Sequence, residues 1–352
     1  MKESVKWYRD NKADIRRIKR NMWVPKSLDD YKDLNIKVIP CDTDALASDW
    51  KILRTFCSVA IWNNSPGRMG KFMVVHETED ENADPFGFGI KQNKWEYLGI
   101  LSLGSDFLAV GGRDEKIGWT DKDKFGGKLN YIAMASTIVP TQPLGYNYLG
   151  GKLVSLLAVS DVVENYWNSK YTNEVLAGVT TTSLYGGFSQ YNNLKYWKKC
   201  RSTEGKVEIE PTEDVYEKTR KWLMENYPQE YQKITKEKTE SGNIKSHPKS
   251  KILAKAKTKL KVRGCESNAP RGVYWCPLYE NSEKFLRNED TELTAKRFDN
   301  SVSSLVNLWK EKYASKRISK FSYNQLSDIL FLDDLIGSDW EQIKEKYLKG
   351  EE

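Results

Sequence analysis

Apolar positions along the middle of the chain follow two different periodicities. Residues 42–63 carry apolar side chains at helical spacing, which predicts an amphipathic helix. Apolar runs predict strands at residues 70–77, 96–106, 129–140 and 174–183. A long amphipathic helix is expected at residues 148–171, between the last two strands. This order, with a helix crossing between two buried strands, predicts a mixed α+β fold.

The segments after the last of these strands, and the two ends of the chain, have a different pattern. A short helix is expected at residues 190–197 and a further strand at residues 206–210. Residues 239–262 are rich in lysine and poor in aromatic residues, which suggests a mobile segment. We therefore predict three regions: a basic N-terminal helical extension at residues 1–41, a core at 42–210, and a basic helical C-terminal region at 211–352.

Composition narrows the class of protein. The 352 residues are 39% hydrophobic and 30% charged, and no apolar run is long enough to predict a membrane span. The first residues lack the apolar stretch of a signal peptide. The chain has five cysteines without a CxxC pair and two histidines, so we expect neither disulfides nor a metal site. These features predict a cytoplasmic protein, in a bacterial cell or a phage-infected host.

Charge indicates a polyanionic partner, and we expect that partner to be DNA. The net charge is +7, yet residues 232–263 alone hold eleven basic residues against two acidic ones. A solvated segment without a ligand is the plainer interpretation of this run. The candidate phosphate-binding residues are Arg16, Arg17, Lys19, Arg20, Lys249, Lys251, Lys255, Lys257, Lys259 and Lys261. Trp119 is a candidate for stacking on a base, although a core position is the commoner role of such a tryptophan.

A strand–glycine–helix element begins after residue 140. Its sequence has the form Gln142-x-x-Gly145-x-Asn147. A helix N-terminus offers unpaired N–H groups to a phosphate, and glycine lets such a ligand approach the backbone. A tight turn with no ligand explains the same residues equally well.

This element and the segments after it resemble the GNAT superfamily of N-acyltransferases. In that superfamily the strand leads into Gln/Arg-x-x-Gly-x-Gly/Ala, then a helix, a strand and Tyr-x-x-Leu-Gly-Phe. The sequence YNNLKY at residues 191–196 stands at the second motif. Asn147 stands where Gly or Ala is usual, and Lys195 where Gly is usual. The resemblance implies a GNAT-like mixed sheet flanked by helices, with additional helical segments at both ends.

The GNAT resemblance also implies a cofactor and catalytic roles. An acyl-CoA, for example acetyl-CoA, would bind at Gln142, Gly145, Tyr146, Asn147 and Gly150. Tyr191 would donate a proton to the departing thiolate. Asp106 is the first candidate for the base and Asp114 and Glu77 are the others, with Ser136 as a relay. Tyr191 as an ordinary helix aromatic and Asp114 as the ion-pair partner of Arg113 remain the alternatives.

A more specific resemblance spans residues 98–206. The string LGILSLGSDFLAVGGRDEKIGW, succeeded by TSLYGGFSQYNNLKYW, is similar to the Druantia DruA-like family of anti-phage and transposon-associated proteins. Ser105, Arg113-Asp114 and Ile117-Gly118-Trp119 match its pattern. The arrangement is also similar to phage Mom-type DNA modification proteins, and both resemblances imply a nucleic-acid setting.

These observations lead to three functional hypotheses. The leading hypothesis is acyl or related group transfer onto an amine of a DNA base, in phage DNA modification or phage–host conflict. The alternative is a non-catalytic DNA-binding component of a defence or mobile-element system that has kept a degenerate GNAT-like fold. An acetyltransferase acting on a protein or a small molecule is the third.

Overall fold

The chain divides into two compact units in the computed structural model. The first comprises residues 1–203 and 272–352, and the second comprises residues 204–271. The residues described are 7, 10–57, 67–79, 93–172, 174–183, 189–203, 207–208, 213–236, 248–261, 266–267 and 270–320. Segments from both ends of the chain therefore belong to the first unit.

Seven strands of the first unit form one mixed sheet. The strands of the chain are β1 Ile36–Pro40, β2 Met69–Glu79, β3 Asn93–Ser105, β4 Ile132–Pro140, β5 Gly178–Thr182, β6 Lys198–Lys199, β7 Val207–Glu208, β8 Glu266–Ser267 and β9 Val273–Pro277. The order in the large sheet is β1-β2-β3-β4-β5-β9-β6. Strands β4 and β5 are parallel, and the other neighbours in the sheet are antiparallel. The α+β class and the mixed sheet flanked by helices are confirmed.

The helices are short, and most belong to the first unit. They are α1 Lys12–Arg20, α2 Asp44–Cys57, α3 Gly111–Ile117, α4 Asp121–Phe125, α5 Leu144–Asn147, α6 Gly150–Leu157, α7 Asp161–Lys170, α8 Glu213–Asn226, α9 Pro228–Lys236, α10 Pro248–Leu260, α11 Ser282–Leu286, α12 Val302–Trp309 and α13 Ser315–Ile318. Short 3-10 helices lie at Asp30–Asp33 and Lys128–Tyr131, and a π-helical turn at Lys310–Ala314 joins α12 to α13. Among the helices described here, none combines the length and apolarity needed to cross a membrane.

Helices cover both faces of the large sheet. On one face α6, α7 and α12 bury Leu153, Trp167 and Trp309 against the strands. On the other face α1 and α2 bury Ile18 and Trp50. The alternation of apolar side chains along the strands supplies both cores, because successive residues point to opposite faces.

Three predicted elements differ from the structure. The expected helix at 148–171 is two helices, α6 and α7, separated at residues 158–160. Residues 190–197 form turns instead of a helix, and Asn193 and Tyr196 have positive φ angles of 56° and 74°. The lysine-rich segment contains a helix, α10, because Ile252 and other apolar residues at helical spacing pack against α8 in the second unit.

Candidate functional site

The site predicted from sequence lies where β4 and β5 stop pairing. Residues 132–134 pair with residues 178–180, whereas β4 continues to Pro140. On its other edge β4 has a β-bulge opposite β3, between Ser102 and Leu103. Bulges are common beside functional sites because they redirect side chains and interrupt pairing. A gap between two parallel strands is the place where an extended ligand could bind a strand edge.

Side chains of the protein itself cross this gap. The Thr181 hydroxyl donates to the Ala135 carbonyl over 2.8 Å, and the Gln190 amide Nε2 donates to the Ile138 carbonyl over 3.1 Å. The Lys152 ammonium donates to the Gln190 carbonyl over 3.0 Å. Two carbonyl groups of β4 beyond its pairing with β5, those of Ala135 and Ile138, therefore already accept hydrogen bonds from the protein.

The backbone donors of the turn are also engaged. The N–H of Gly145 donates to Thr141 O over 2.8 Å, and the N–H of Asn147 donates to Pro143 O over 3.1 Å. The N–H of Tyr146 donates to the side-chain oxygen of Gln142 over 3.1 Å. The predicted phosphate-binding amides thus have acceptors within the protein.

The start of α6 is equally close-packed. A Cβ atom on Gly151 would lie 2.2 Å from the side-chain oxygen of Gln190, so this glutamine lies directly against the helix entrance. A Cβ atom on Gly150 would lie 2.8 Å from Leu144 Cγ. Both glycines therefore allow protein groups to approach the backbone, and these residues do not fit an acyl-CoA in this arrangement.

Asn147 is a buried polar residue within the turn. Its side chain is fully buried, and neither amide atom has a hydrogen-bond partner. An unsatisfied buried amide is costly, and native proteins contain few of them. The sequence departs from the GNAT motif at this position, where Gly or Ala would bury no polar atom.

Tyr191 lies at the gap but is enclosed. Its hydroxyl is 3.5 Å from Thr181 Oγ1, and its ring packs against those of Tyr274 and Trp197. Burial raises the pKa of the Tyr191 hydroxyl. A higher pKa makes the hydroxyl a weaker acid, which opposes the predicted role as proton donor.

Two of the candidate bases belong to a buried ionic cluster. Arg113 is completely buried and lies 3.0 Å from Asp106 Oδ2 and 2.6 Å from Asp114 Oδ1. Thr180 also donates to Asp106 over 2.6 Å, and Lys124 lies 2.8 Å from Asp114. Both carboxylates are thus held by cations and hydrogen bonds. A structural role explains them better than general base catalysis.

Ser136 and Trp119 have different surroundings. Ser136 is exposed, and its hydroxyl is 3.0 Å from that of Ser102. Trp119 is buried, donates its indole N–H to Leu286 O over 2.7 Å, and lies under the guanidinium of Arg113. Because the Trp119 ring is buried, it is not accessible for stacking on a nucleic-acid base in this arrangement.

The predicted cluster on α1 divides into two groups. Arg17 pairs with Asp49 on α2, whose carboxylate also accepts from Tyr97 over 2.7 Å, so Arg17 joins α1 to the core. Burial alone would raise the pKa of Asp49, but hydrogen bonds from Arg17 and Tyr97 outweigh it and lower the pKa. Arg16 and Arg20 are exposed, and Lys19 is half-buried.

The lysines of α10 have carboxylate neighbours in the same unit. Lys255 and Lys259 lie 2.7 Å and 2.8 Å from Glu230, and their hydrogen bonds lower the pKa of Glu230 to about 2. Lys249 lies 2.9 Å from Glu213. The remaining candidates on this segment are Lys251, Lys257 and Lys261. Carboxylates of the second unit therefore offset part of the positive charge of the lysine-rich segment.

Sequence reasoning missed the residues that fill the gap. Gln190 directly precedes the motif tyrosine, and Thr181 lies in a predicted strand, so both were within segments already singled out. Lys152 is half-buried, and burial together with the nearby Lys312 lowers its pKa. Lys312 comes from the C-terminal helices, so no local motif could connect it to the turn.

Comparison with known proteins identifies one family. Residues 87–288, more than half of the chain, match the family model described as Druantia protein DruA. No curated protein and no solved structure matches the chain.

Proposed function

Because the chain belongs to the Druantia protein DruA family, we propose that it is a nucleic-acid-binding component of an anti-phage defence system. Its core follows a GNAT-like plan in which the gap between the parallel strands is filled by the protein. The family match supports the defence role, and the residues at the gap support a role without acyl transfer.

The filled gap is the observation that carries this proposal, because it favours a component that binds nucleic acid without catalysing acyl transfer. Thr181 and Gln190 satisfy the edge of β4, and internal acceptors satisfy the amides of the turn. The residues predicted to act as acid and base are a buried phenol and two ion-paired aspartates. None of these features favours a thioester reaction.

Net positive charge supports a nucleic-acid partner. The chain carries +7, and exposed basic residues such as Arg16 and Arg20 lie on α1. Phosphate contacts release counterions, so binding should weaken steeply with salt. A chain that binds about four phosphates would show a log–log salt slope near −3 on single strands and somewhat steeper on a duplex.

Fluorescence anisotropy of the full chain tests the proposal. Labelled single-stranded and duplex DNA are titrated between 50 and 200 mM salt, with labelled poly-glutamate as a polyanion that lacks bases and sugars. We expect binding to DNA with a linear salt dependence and much weaker binding to poly-glutamate. Absence of DNA binding at 50 mM salt, or equal binding to poly-glutamate, would refute the proposal.

Acyl transfer onto a DNA amine is the second candidate function. It is favoured by the position of the Tyr191 hydroxyl, which lies 3.5 Å from Thr181 Oγ1 on the strand that runs parallel to β4. Such a reaction would require Gln190 to leave the entrance of α6.

Calorimetry with acetyl-CoA separates the two candidates. Gln190→Ala removes the side chain that fills the gap, and Gln229→Ala on the exposed surface of α9 is the matched control. If the gap is a CoA site, Gln190→Ala should bind acetyl-CoA more tightly than the wild type and Gln229→Ala should not. No heat from any of the three proteins would exclude the acyl-CoA function.

A further inference from the structure

The C-terminal helices bring basic residues to the strand–helix turn. Residues 310–320 contain five basic residues and one acidic residue. Lys312 and Lys316 are exposed, and the Arg317 guanidinium lies 5.2 Å from the ring centroid of Tyr146. Tyr146 is 58% exposed despite its position between two buried segments. We call Tyr146, Lys312, Lys316 and Arg317 the Tyr146 patch.

Buried anchors hold the patch together. Trp309 is fully buried and donates its indole N–H to Tyr148 O over 3.1 Å, which fixes α12 to the turn. One turn further, the Tyr313 hydroxyl donates to Asn193 O over 3.2 Å and accepts from the Lys195 N–H over 2.8 Å. Arg317 comes four residues after Tyr313 and so lies on the same side of the helix.

The π-helical turn at Lys310–Ala314 begins directly after Trp309 and contains Tyr313. Such turns are rare in proteins and occur frequently at functional sites. Lys310 is used structurally, since its ammonium donates to Leu34 O over 3.0 Å. Glu311, the acidic residue of the segment, lines a cleft with Asp299 and Asn307. The cations of the patch therefore outnumber the carboxylates along this stretch.

We propose that the Tyr146 patch binds single-stranded nucleic acid, with a base stacked on Tyr146 and Arg317 and phosphates bound by Lys312 and Lys316. Exposed aromatic rings beside cations are the usual means of binding single strands, because every base offers a π-face. Arginine planes also stack on unpaired bases. A base inside a duplex has no free face for this contact, which favours single strands. This inference rests on the proposed nucleic-acid function.

Anisotropy with a labelled 15-nucleotide single strand tests the inference. Tyr146→Ala should weaken binding by about 5- to 150-fold, because it removes one stacking contact. Tyr146→Phe keeps the ring and should bind like the wild type. The matched control is Phe107→Ala, which removes an aromatic ring that is 59% exposed at another loop of the same unit.

A second variant tests the phosphate contacts. Replacing Lys312 and Lys316 with Gln should reduce the magnitude of the log–log salt slope by about 1.4, because each single-strand phosphate contributes about 0.7. Tyr146→Ala should leave the slope unchanged, since it removes no charge.

The outcomes distinguish the inference from the function on which it rests. If the wild type binds single strands and Tyr146→Ala binds equally well, the patch is not the contact and the nucleic-acid function stands. If the wild type binds only duplex DNA, the single-strand inference fails alone. If it binds neither, both fail.

Discussion

Helix α10 of the second unit and the Tyr146 patch of the first unit are both rich in basic residues, but their charges are used differently. On α10, Lys255 and Lys259 share Glu230, and Lys249 pairs with Glu213. At the patch, Lys312 and Lys316 are exposed, and Arg317 lies over an aromatic ring that is itself exposed. The density of lysine along a sequence is therefore a poor guide to the positive potential of the folded surface. The carboxylates of neighbouring helices decide how much of that charge remains available.

Arg113 is the extreme case of a charge that is used internally. It is fully buried between Asp106 and Asp114. Replacing it with Met should lower the free energy of unfolding by about 3–5 kcal/mol, because both carboxylates lose their buried partner. Urea denaturation measures this change. A loss below about 1 kcal/mol would show that the cluster does not hold the strands and loops together.

Glu230→Gln should make the lysines of α10 available for phosphate binding, as we propose for those of the Tyr146 patch. The change removes the carboxylate shared by Lys255 and Lys259, so these lysines become available to phosphates. Affinity for duplex DNA should rise several-fold, and the salt slope should steepen by one to two. Glu225→Gln on α8 is the matched control, since Glu225 is exposed and lies 4.0 Å from Lys221. Equal affinities for the wild type and Glu230→Gln would contradict the idea that Glu230 masks these lysines.

The contact between Arg17 and Asp49 should contribute a smaller, pH-dependent stability. Asp49→Asn should destabilise the protein by about 1–2 kcal/mol at pH 7, since Arg17 is half exposed. The pKa of Asp49 is lowered in the folded state. Its contribution is therefore fully present above the unfolded pKa of about 3.9 and is lost as the pH falls through the folded value.

Denaturation of the wild type and Asp49→Asn between pH 3 and pH 7 measures this effect. The difference between the two proteins should shrink below about pH 4. A difference that stays constant over that range would mean that the ionised carboxylate contributes nothing specific.

Asn147→Ala should have the smallest effect and the opposite sign. The substitution removes a buried amide without hydrogen bonds, so the free energy of unfolding should stay the same or rise by about 1 kcal/mol. A loss greater than about 1 kcal/mol would show that the amide has a partner or fills an essential volume.

Strands β2 to β5 and their order along the chain could be predicted from sequence because their apolar runs are typical of a sheet with two covered faces, whereas β1 lies in a region predicted to be helical. The strand–helix turn was also predicted from its glycines. The filling of the gap could not be predicted, because only the fold brings Thr181 and Gln190 to the carbonyl groups of β4.

The large sheet joins segments that lie far apart along the chain. Strand β9 lies between β5 and β6 in the sheet, although residues 204–271 separate β6 from β9 along the chain. Composition alone therefore does not reveal that β9 belongs to the same sheet as the strands before residue 204. Likewise, α10 carries enough charge to suggest disorder, while its few apolar residues suffice to pack it against α8.

Hydrogen exchange of the full chain with and without a single-stranded oligonucleotide compares the two basic regions most directly. If the Tyr146 patch is the contact, binding should slow exchange at residues 143–150 and 310–320 and leave residues 248–261 of α10 unchanged. Protection confined to α10, with none at the turn or the C-terminal helices, would contradict the assignment of nucleic-acid binding to the patch.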